Sequence, residues 1–377
     1  MDKLRVLALE PYAAASHASF LEGLAAASRH DFTIQTLPAR LWKWRMRTSA
    51  LGMVEHVVRE KPDVLFASDF LNLAELRALL PPELRSIPAV TYFHENQLTY
   101  PVREGERPDV HHGLTNIHSI LCSDRTLFNS VYHRDGFLAA AKELLERVPD
   151  LDLSNWHVQL EEGSTVLGLG TDVPASAMRP LQHDEAPILV WNHRWEYDKK
   201  PDAFLALLTE LERRATPFRL SLLGMRFRGV PDALLEIESR FADRIVTSGF
   251  AATKDDYVNE LRRGHILVST SSHEFFGLSS LEGIRCGLLP VLPNDLAYPE
   301  LLPAELRRAP FLYDREEGEA GVAAPADAVQ LAIEVLRGEA LGATSRALAA
   351  FTRQFEWRVH GSKFDAVLEA VALRTPN

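Results

Sequence analysis

The sequence predicts an α/β protein built from two Rossmann-like, doubly wound domains in tandem, and three observations predict it. Strand-like apolar runs alternate with amphipathic helical segments through both halves of the chain, as they do where helices cover both faces of a parallel sheet. A polar, proline-containing stretch from Thr171 to Pro187 separates the two series in the manner of an interdomain linker. The length of 377 residues exceeds what a single hydrophobic core comfortably organises.

In the first half the candidate strands are Arg5 to Leu9, Thr33 to Leu37, Val64 to Ala67, Ala89 to Phe93, Arg125 to Phe128 and Thr165 to Leu167. Amphipathic segments fall near 17–29, 48–60, 72–80, 112–122 and 131–147. The second half repeats the alternation with Ile188 to Trp191, Arg219 to Leu223, Arg244 to Val246, Ile266 to Ser269, Leu289 to Leu292 and Pro310 to Tyr313. The expected division is a first domain over 1–174, a second over 175–358, and a last helix within 359–377. Two such sheets are expected to face one cleft with their carboxyl ends, where ligands of these folds bind.

Composition narrows the class. An apolar fraction of 46% with 25% charged residues is that of a soluble globular chain. A net charge of −11 argues against coating nucleic acid non-specifically, although a local basic patch is compatible with it. The N-terminus offers no signal-peptide core and no run is long enough to span a bilayer, so a cytoplasmic location is expected. Cys122 and Cys286, each inside a predicted helix, support neither a disulfide framework nor a zinc site and read as small buried hydrophobes. His111, His112 and His118 lack the carboxylate spacing of a metal site. Gly168-Leu169-Gly170 lacks the third glycine and following helix of a dinucleotide fingerprint.

The most informative stretch runs from His273 to Gly283. Glu274 and Glu282 sit eight positions apart around a Phe-Gly turn that follows a strand. A carboxylate on the loop, a free helix N-terminus at Gly277, Leu278 and Ser279, and a second carboxylate inside the helix make a cradle for a sugar nucleotide. Glu274 would take sugar hydroxyls, the amides would face phosphate, and Glu282, a buried acid in need of a partner, would take the ribose diol. The competing reading, two surface acids beside a buried helix, fits the flanking strand and glycines less well. Upstream, Arg194 and Lys199 follow the first strand of the second domain, where fixed cations would neutralise a departing diphosphate. The alternative there is a solvated charged loop.

Three segments of the first domain carry further candidates. After Tyr92-Phe93, His94 could hydrogen-bond a donor sugar while Glu95, Asn96 and Gln97 orient donor or acceptor, or the four could form a capping cluster. Ser16-His17 follows the first strand and either reaches the reacting centre or starts a helix capped by Ser16. The run Arg40, Trp42, Lys43, Trp44, Arg45 and Arg47 interleaves four cations with two indoles, suited to phosphates and bases of RNA or to a snorkelling amphipathic turn.

With these residues in view, the chain resembles the tRNA-queuosine alpha-mannosyltransferases, a branch of the family-four retaining glycosyltransferases of GT-B fold. The Glu274-x7-Glu282 pattern and Trp191 to Lys199 carry the superfamily. The specific segments are Ser16-His17, Leu37 to Leu51, Phe66 to Leu73 and Tyr92 to Leu98. The resemblance implies a GDP-mannose donor, a queuosine acceptor in a tRNA anticodon, no metal and no resident cofactor. It also implies that domain 1–174 is the acceptor side and 175–358 the donor side, that the helix within 359–377 crosses back to the first domain, and that Glu274, Arg194, Lys199 and His94 serve catalysis. Ser16, His17, Gly249, Phe250, Gly277 to Ser279 and Glu282 would hold the donor, with the base read through backbone at Gly249-Phe250. One departure is visible: Ala14-Ala15 stands where the family carries a glycine pair. Two rivals remain, a glycosyltransferase of the same fold acting on a small molecule or lipid, and a catalytically silent RNA-binding protein.

Overall fold

The computed structural model describes residues 2–102, 109–226, 229–315 and 320–373, and these form two compact units, 1–172 with 355–377 and 173–354. Residues 374–377 of the segment expected to cross back lie outside the described residues.

The first unit runs β1 (Arg5–Ala13), α1 (Ala15–Ala27), β2 (Asp31–Pro38), α2 (Trp42–Glu60), β3 (Val64–Ser68), α3 (Leu73–Leu79), β4 (Ala89–Phe93), α4 (Val110–Leu121), β5 (Arg125–Phe128), α5 (Val131–Glu146), α6 (Ser154–Gly163) and β6 (Ser164–Val166). Its six strands are parallel in the order β2-β1-β3-β4-β5-β6. The chain adds β2 on one side of β1 and then β3 on the other, so the order reverses between β1 and β3, the place where parallel sheets of this kind bind ligands. Strands β3 and β4 are buried along their whole length, as strands covered on both faces must be, which is why they read as unbroken apolar runs.

Two elements depart from the sequence reading. Helix α2 begins at Trp42 and not near 48, because the apolar stripe Met46, Ala50, Met53 and Val57 holds the turn that carries the Trp-Lys-Trp-Arg run. Helix α6 is absent from that reading; its apolar residues are sparse, and Leu160 alone among them is buried. The cysteines cap helices and do not lie within them: Cys122 closes α4 and Cys286 closes the Leu278–Arg285 helix of the second unit.

The second unit runs β7 (Ile188–Asn192), α7 (Pro201–Arg213), β8 (Arg219–Leu223), α8 (Asp232–Arg240), β9 (Ile245–Gly249), α9 (Lys254–Arg263), β10 (Ile266–Val268), α10 (Leu278–Arg285), β11 (Leu289–Pro293), β12 (Leu312–Tyr313), α11 (Ala320–Arg337) and α12 (Ala340–Thr352). Its parallel sheet has the order β12-β11-β10-β7-β8-β9. The reversal falls between β7 and β10.

The chain then returns to the first unit as α13 (Trp357–Ala372). Its buried face, Trp357, His360, Gly361, Phe364, Leu368 and Val371, recurs every three to four residues. That face lies on α1 and the sheet, with Phe20 placed 5.6 Å from Trp357 and 5.7 Å from Phe364, centroid to centroid. Asp365 accepts from Ser28 Oγ (2.5 Å) and the Arg29 N–H (3.1 Å), tying the helix to the end of α1. Burying Phe364 and Leu368 contributes about 1.5–3 kcal/mol each.

Candidate active site

In the second unit the segments leaving β7 and β10 meet at the sheet reversal. The turn after β7 carries Lys199 under the loop of β10. There the ammonium donates to the His273 carbonyl (2.8 Å) and pairs with Asp198 (3.1 Å) and Glu274 (3.5 Å), its side chain 7% exposed. The ammonium thus donates to two protein acceptors, the His273 carbonyl and Glu274, and faces Asp198 as an ion pair. Lys199, expected from sequence as a fixed cation beside a diphosphate, is here a buried counterion of Glu274. Burial would push the Glu274 carboxyl up, yet Lys199, His193, His273 and the Gly277 N–H together hold it below the ordinary range. His193 and His273 are neutral at physiological pH: burial, then the Lys199 charge, brings them down to about 3 and about 4.

Arg194 lies on the surface of the same turn, half exposed and paired with Glu196 at 3.3 Å. Its charge also bears on His193 and His273, which places it beside the Glu274 cluster. The adjoining β8 turn needs glycine at Gly224. Its φ of +149° suits glycine, and a Cβ there would lie 1.8 Å from the His193 carbonyl oxygen.

Gly277 enters α10 with φ of +89°, a left-handed residue that turns the loop into the helix. Of the three amides expected there, the Gly277 N–H also bears on the Glu274 carboxyl and helps to lower its pKa. The first turn at Leu278 and Ser279 has no side-chain cap, so this end of the helix is where an anion is favoured.

Glu282 is buried one turn on, and the protein supplies it with two partners. Oε1 accepts from Lys254 (2.5 Å) and Oε2 from the Tyr257 hydroxyl (2.9 Å), whose oxygen accepts in turn from Asn192 (2.7 Å). Asn192 also donates to the Ser279 carbonyl (3.1 Å), so β7, α9 and α10 are joined through this chain. Sequence reading missed Lys254 and Tyr257. Their signal was Thr253, which caps α9 by accepting from the Asp256 N–H and places both residues in one helical turn. Gly249 ends β9, its carbonyl accepting from Gly224 N–H (3.0 Å), and Phe250 follows with 67% exposure, an aromatic left open to solvent.

In the first unit, the carboxyl ends of β1, β3 and β4 gather Glu10, His17, Asp69, His94 and Glu95. Ser16 is exposed and does not cap α1; Ala14 holds the cap position without a side-chain bond. Its φ of −65° is ordinary for any L-residue, so alanine stands there without strain. His17 is buried and bonded through Nδ1 to Glu10 Oε2 (3.1 Å), while Glu10 Oε1 accepts from the Tyr12 N–H (2.7 Å). Burial opposes charge on His17, but Glu10, then Asp69 and Glu95, raise it to about 9. His94 stacks on it, ring centroids 4.0 Å apart, and is driven well below its ordinary pKa by burial and by the His17 charge. Glu10, His17 and His94 bring their polar atoms within 4.8 Å of one another. Glu10 is engaged twice, by His17 and the Tyr12 N–H, and the two rings stack face to face. Asp69 accepts from the His94 N–H (3.0 Å). Its carboxyl is pushed well up by burial and by Glu95. Glu10 and Asp69 were not singled out from sequence, since an acid inside an apolar strand carries no local signature.

Asn96 turns inward, fully buried. It accepts from the Leu98 and Thr99 N–H groups (2.9 Å each) and donates to Thr99 Oγ1, so it shapes the loop and does not face a ligand. Gln97 donates to Glu95 (3.1 Å). On α2, Trp44 is 67% exposed and Lys43 and Arg47 are exposed with it, as is Arg40 just before the helix. Trp42 packs 5.0 Å from the His112 ring of α4, and the Lys43 and Arg47 charges bear on the same histidine. Arg45 is half-buried.

Comparison with known proteins follows this division. Residues 5–171 match the family described as tRNA-queuosine alpha-mannosyltransferase N-terminal, and residues 169–347 match Family 4 Glycosyltransferase in conflict systems. A tRNA-queuosine alpha-mannosyltransferase of Drosophila melanogaster is 36% identical over 314 residues, 80% of this chain and 83% of that protein. Among solved structures, the Thermosynechococcus elongatus sucrose-phosphate synthase has a TM-score of 0.71 at 13% identity over 97% of this chain and 99% of that one. Anabaena HepE in complex with UDP has a TM-score of 0.69 at 15% identity over 97% and 100%. These likenesses carry the two-domain α/β fold of the GT-B glycosyltransferases. Among the described residues, no helix is long and apolar enough to cross a membrane. The chain is a glycosyltransferase and belongs to the tRNA-queuosine alpha-mannosyltransferase family.

Proposed function

We propose that the protein transfers mannose from GDP-mannose to queuosine in a tRNA anticodon, with retention at the anomeric carbon, in the cytoplasm and with neither a metal nor a resident cofactor. The observation that carries this reading is the Glu274 cluster: an ionised carboxylate held by a buried Lys199 beside an uncapped helix N-terminus at the sheet reversal. Glu274 accepts from sugar hydroxyls. The Leu278 and Ser279 amides and Arg194 meet the diphosphate, Glu282 takes the ribose, and Gly249-Phe250 lie along the base. Lys199 keeps Glu274 ionised and adds its field to the departing charge. His94 meets the sugar, with Ser16 and His17 beside it. The anomeric carbon–oxygen bond to the diphosphate breaks through an oxocarbenium-like state and a bond to the acceptor hydroxyl forms. The acceptor proton passes to the leaving phosphate oxygen. The exposed cations and Trp44 of α2 support a tRNA acceptor, phosphates pairing with Arg40, Lys43 and Arg47 while the indole stacks on a base. Glu95 and Gln97 orient the queuosine.

The test is mass spectrometry of nucleosides from queuosine-containing tRNA incubated with GDP-mannose, with Glu274→Ala as control. A one-hexose gain on queuosine that the variant fails to produce is expected. GDP-mannose binding without any such gain would move the acceptor to a small molecule or lipid.

A further inference from the structure

We propose that Glu10 is a positioning residue for the transfer: it anchors His17 as a fixed floor on which His94 stacks, so that His94 presents one orientation to the sugar. The inference rests on the reading above, in which His94 meets the sugar. Its geometry is local to the first unit. Glu10 sits in β1 and is itself fixed by the Tyr12 N–H (2.7 Å), and its other oxygen holds His17 Nδ1 at 3.1 Å. The His17 and His94 rings are nearly parallel, 20° apart with centroids at 4.0 Å. His94 is held from its other sides by the edge of Phe20 (4.8 Å) and by Tyr92 (4.8 Å). Its backbone is pinned through the Asp69 carboxylate (3.0 Å) and Asn129 (2.9 Å). An imidazole so enclosed has few ways to turn, and the face stacked on His17 rests on a ring that Glu10 holds.

The charges around the pair agree. Glu10 on β1, Asp69 after β3 and Glu95 after β4 face His17 and favour its cationic form. His17 and His133 of α5 face His94 and, with burial, favour its neutral form. A proton is therefore kept on one ring and off the other, which leaves His94 a neutral hydrogen-bonding group across the working pH range. Without the Glu10 charge, burial would strip His17 of its proton at neutral pH. His94 would then no longer be protected from protonation on the acid side.

The experiment compares Glu10→Gln with wild type in two readouts. The first is NMR titration of side-chain-labelled histidines in the full chain without substrate; the second is the pH–rate profile of mannosyl transfer to queuosine tRNA. In the variant the His17 midpoint is expected to fall from about 9 to below neutrality. At pH 7 kcat should fall on the order of tenfold with KM for GDP-mannose within about twofold, and the acid limb should rise by about one pH unit. Wild-type kcat and an unmoved acid limb in a folded Glu10→Gln protein would overturn the role. Should that variant not fold, Glu10→Asp carries the test: the charge stays, the carboxylate is drawn back from His17, and kcat falls while the acid limb holds. A wild-type kcat there overturns the inference equally. Absence of transfer by the wild type would instead overturn the functional reading and this role with it, so the two failures are told apart by the wild-type lane.

Discussion

Lys199→Met removes one ammonium and leaves its pocket almost unchanged in volume. The group removed makes a 2.8 Å hydrogen bond to His273 and faces Asp198 at 3.1 Å and Glu274 at 3.5 Å. Two carboxylates then remain in a buried site without a cation. Removing one partner of a buried pair costs about 3–5 kcal/mol. For a unit the size of residues 173–354, that corresponds to a fall in Tm of about 6–20 °C, at about 2–4 °C per kcal/mol. The pH dependence supplies a sharper sign. In the wild type, Glu274 is held below its ordinary 4.5, so its contribution is present above that pH and is lost as pH falls through the lower folded value. In the variant burial is opposed only by the smaller influences of His193, His273 and the Gly277 N–H, the folded pKa rises above the unfolded one, and stability increases as pH falls through it. Hydrogen exchange of the Ile188–Asn192 amides against urea at pH 7.5 and 5.5 reads both effects within this unit. A loss below about 1 kcal/mol, or a variant that weakens on acidification, would refute the counterion role argued from burial.

Tyr257→Phe deletes the hydroxyl that joins Asn192 to Glu282. At about 1 kcal/mol per hydrogen bond, KM for GDP-mannose should rise roughly five- to tenfold with kcat little changed, measured by steady-state kinetics. Lys43→Ala with Arg47→Ala should weaken tRNA binding and flatten its salt dependence by about one for each phosphate left unpaired, while GDP-mannose affinity, read by calorimetry, stays unaltered. Trp44→Ala should weaken tRNA binding by about 1–3 kcal/mol as base stacking disappears, checked by filter binding. Because His17 is raised from 6.5 to about 9, its pairing with Glu10 stabilises the first unit fully below pH 6.5 and is lost as pH rises through 9. Thermal unfolding between pH 7 and 9.5 should show this loss in the wild type and not in Glu10→Gln.

Strand positions were legible in the sequence because strands buried on both faces are written as short apolar runs. Ala89–Phe93, Arg125–Phe128 and Arg219–Leu223 end in the structure where they end in the pattern. Glu274 and the entry into α10 were legible too, since a strand, a glycine with positive φ and a helix start are all local features. What each acid meets was not. That Lys199 lies under Glu274, that Lys254 and Tyr257 complete Glu282, and that Glu10 grips His17 depend on strand order. In both sheets the chain reverses direction across its first strand, bringing side chains from distant segments to one crevice. The start of α2 was misplaced for the opposite reason: Trp42 to Arg47 has the composition of a surface loop, and only the packing of Met46 and its successors below makes it a helix. Local propensity and periodicity thus determine the elements and the acids they carry. The charge state of those acids is decided by tertiary packing, because burial and neighbouring ions act through space and not along the chain.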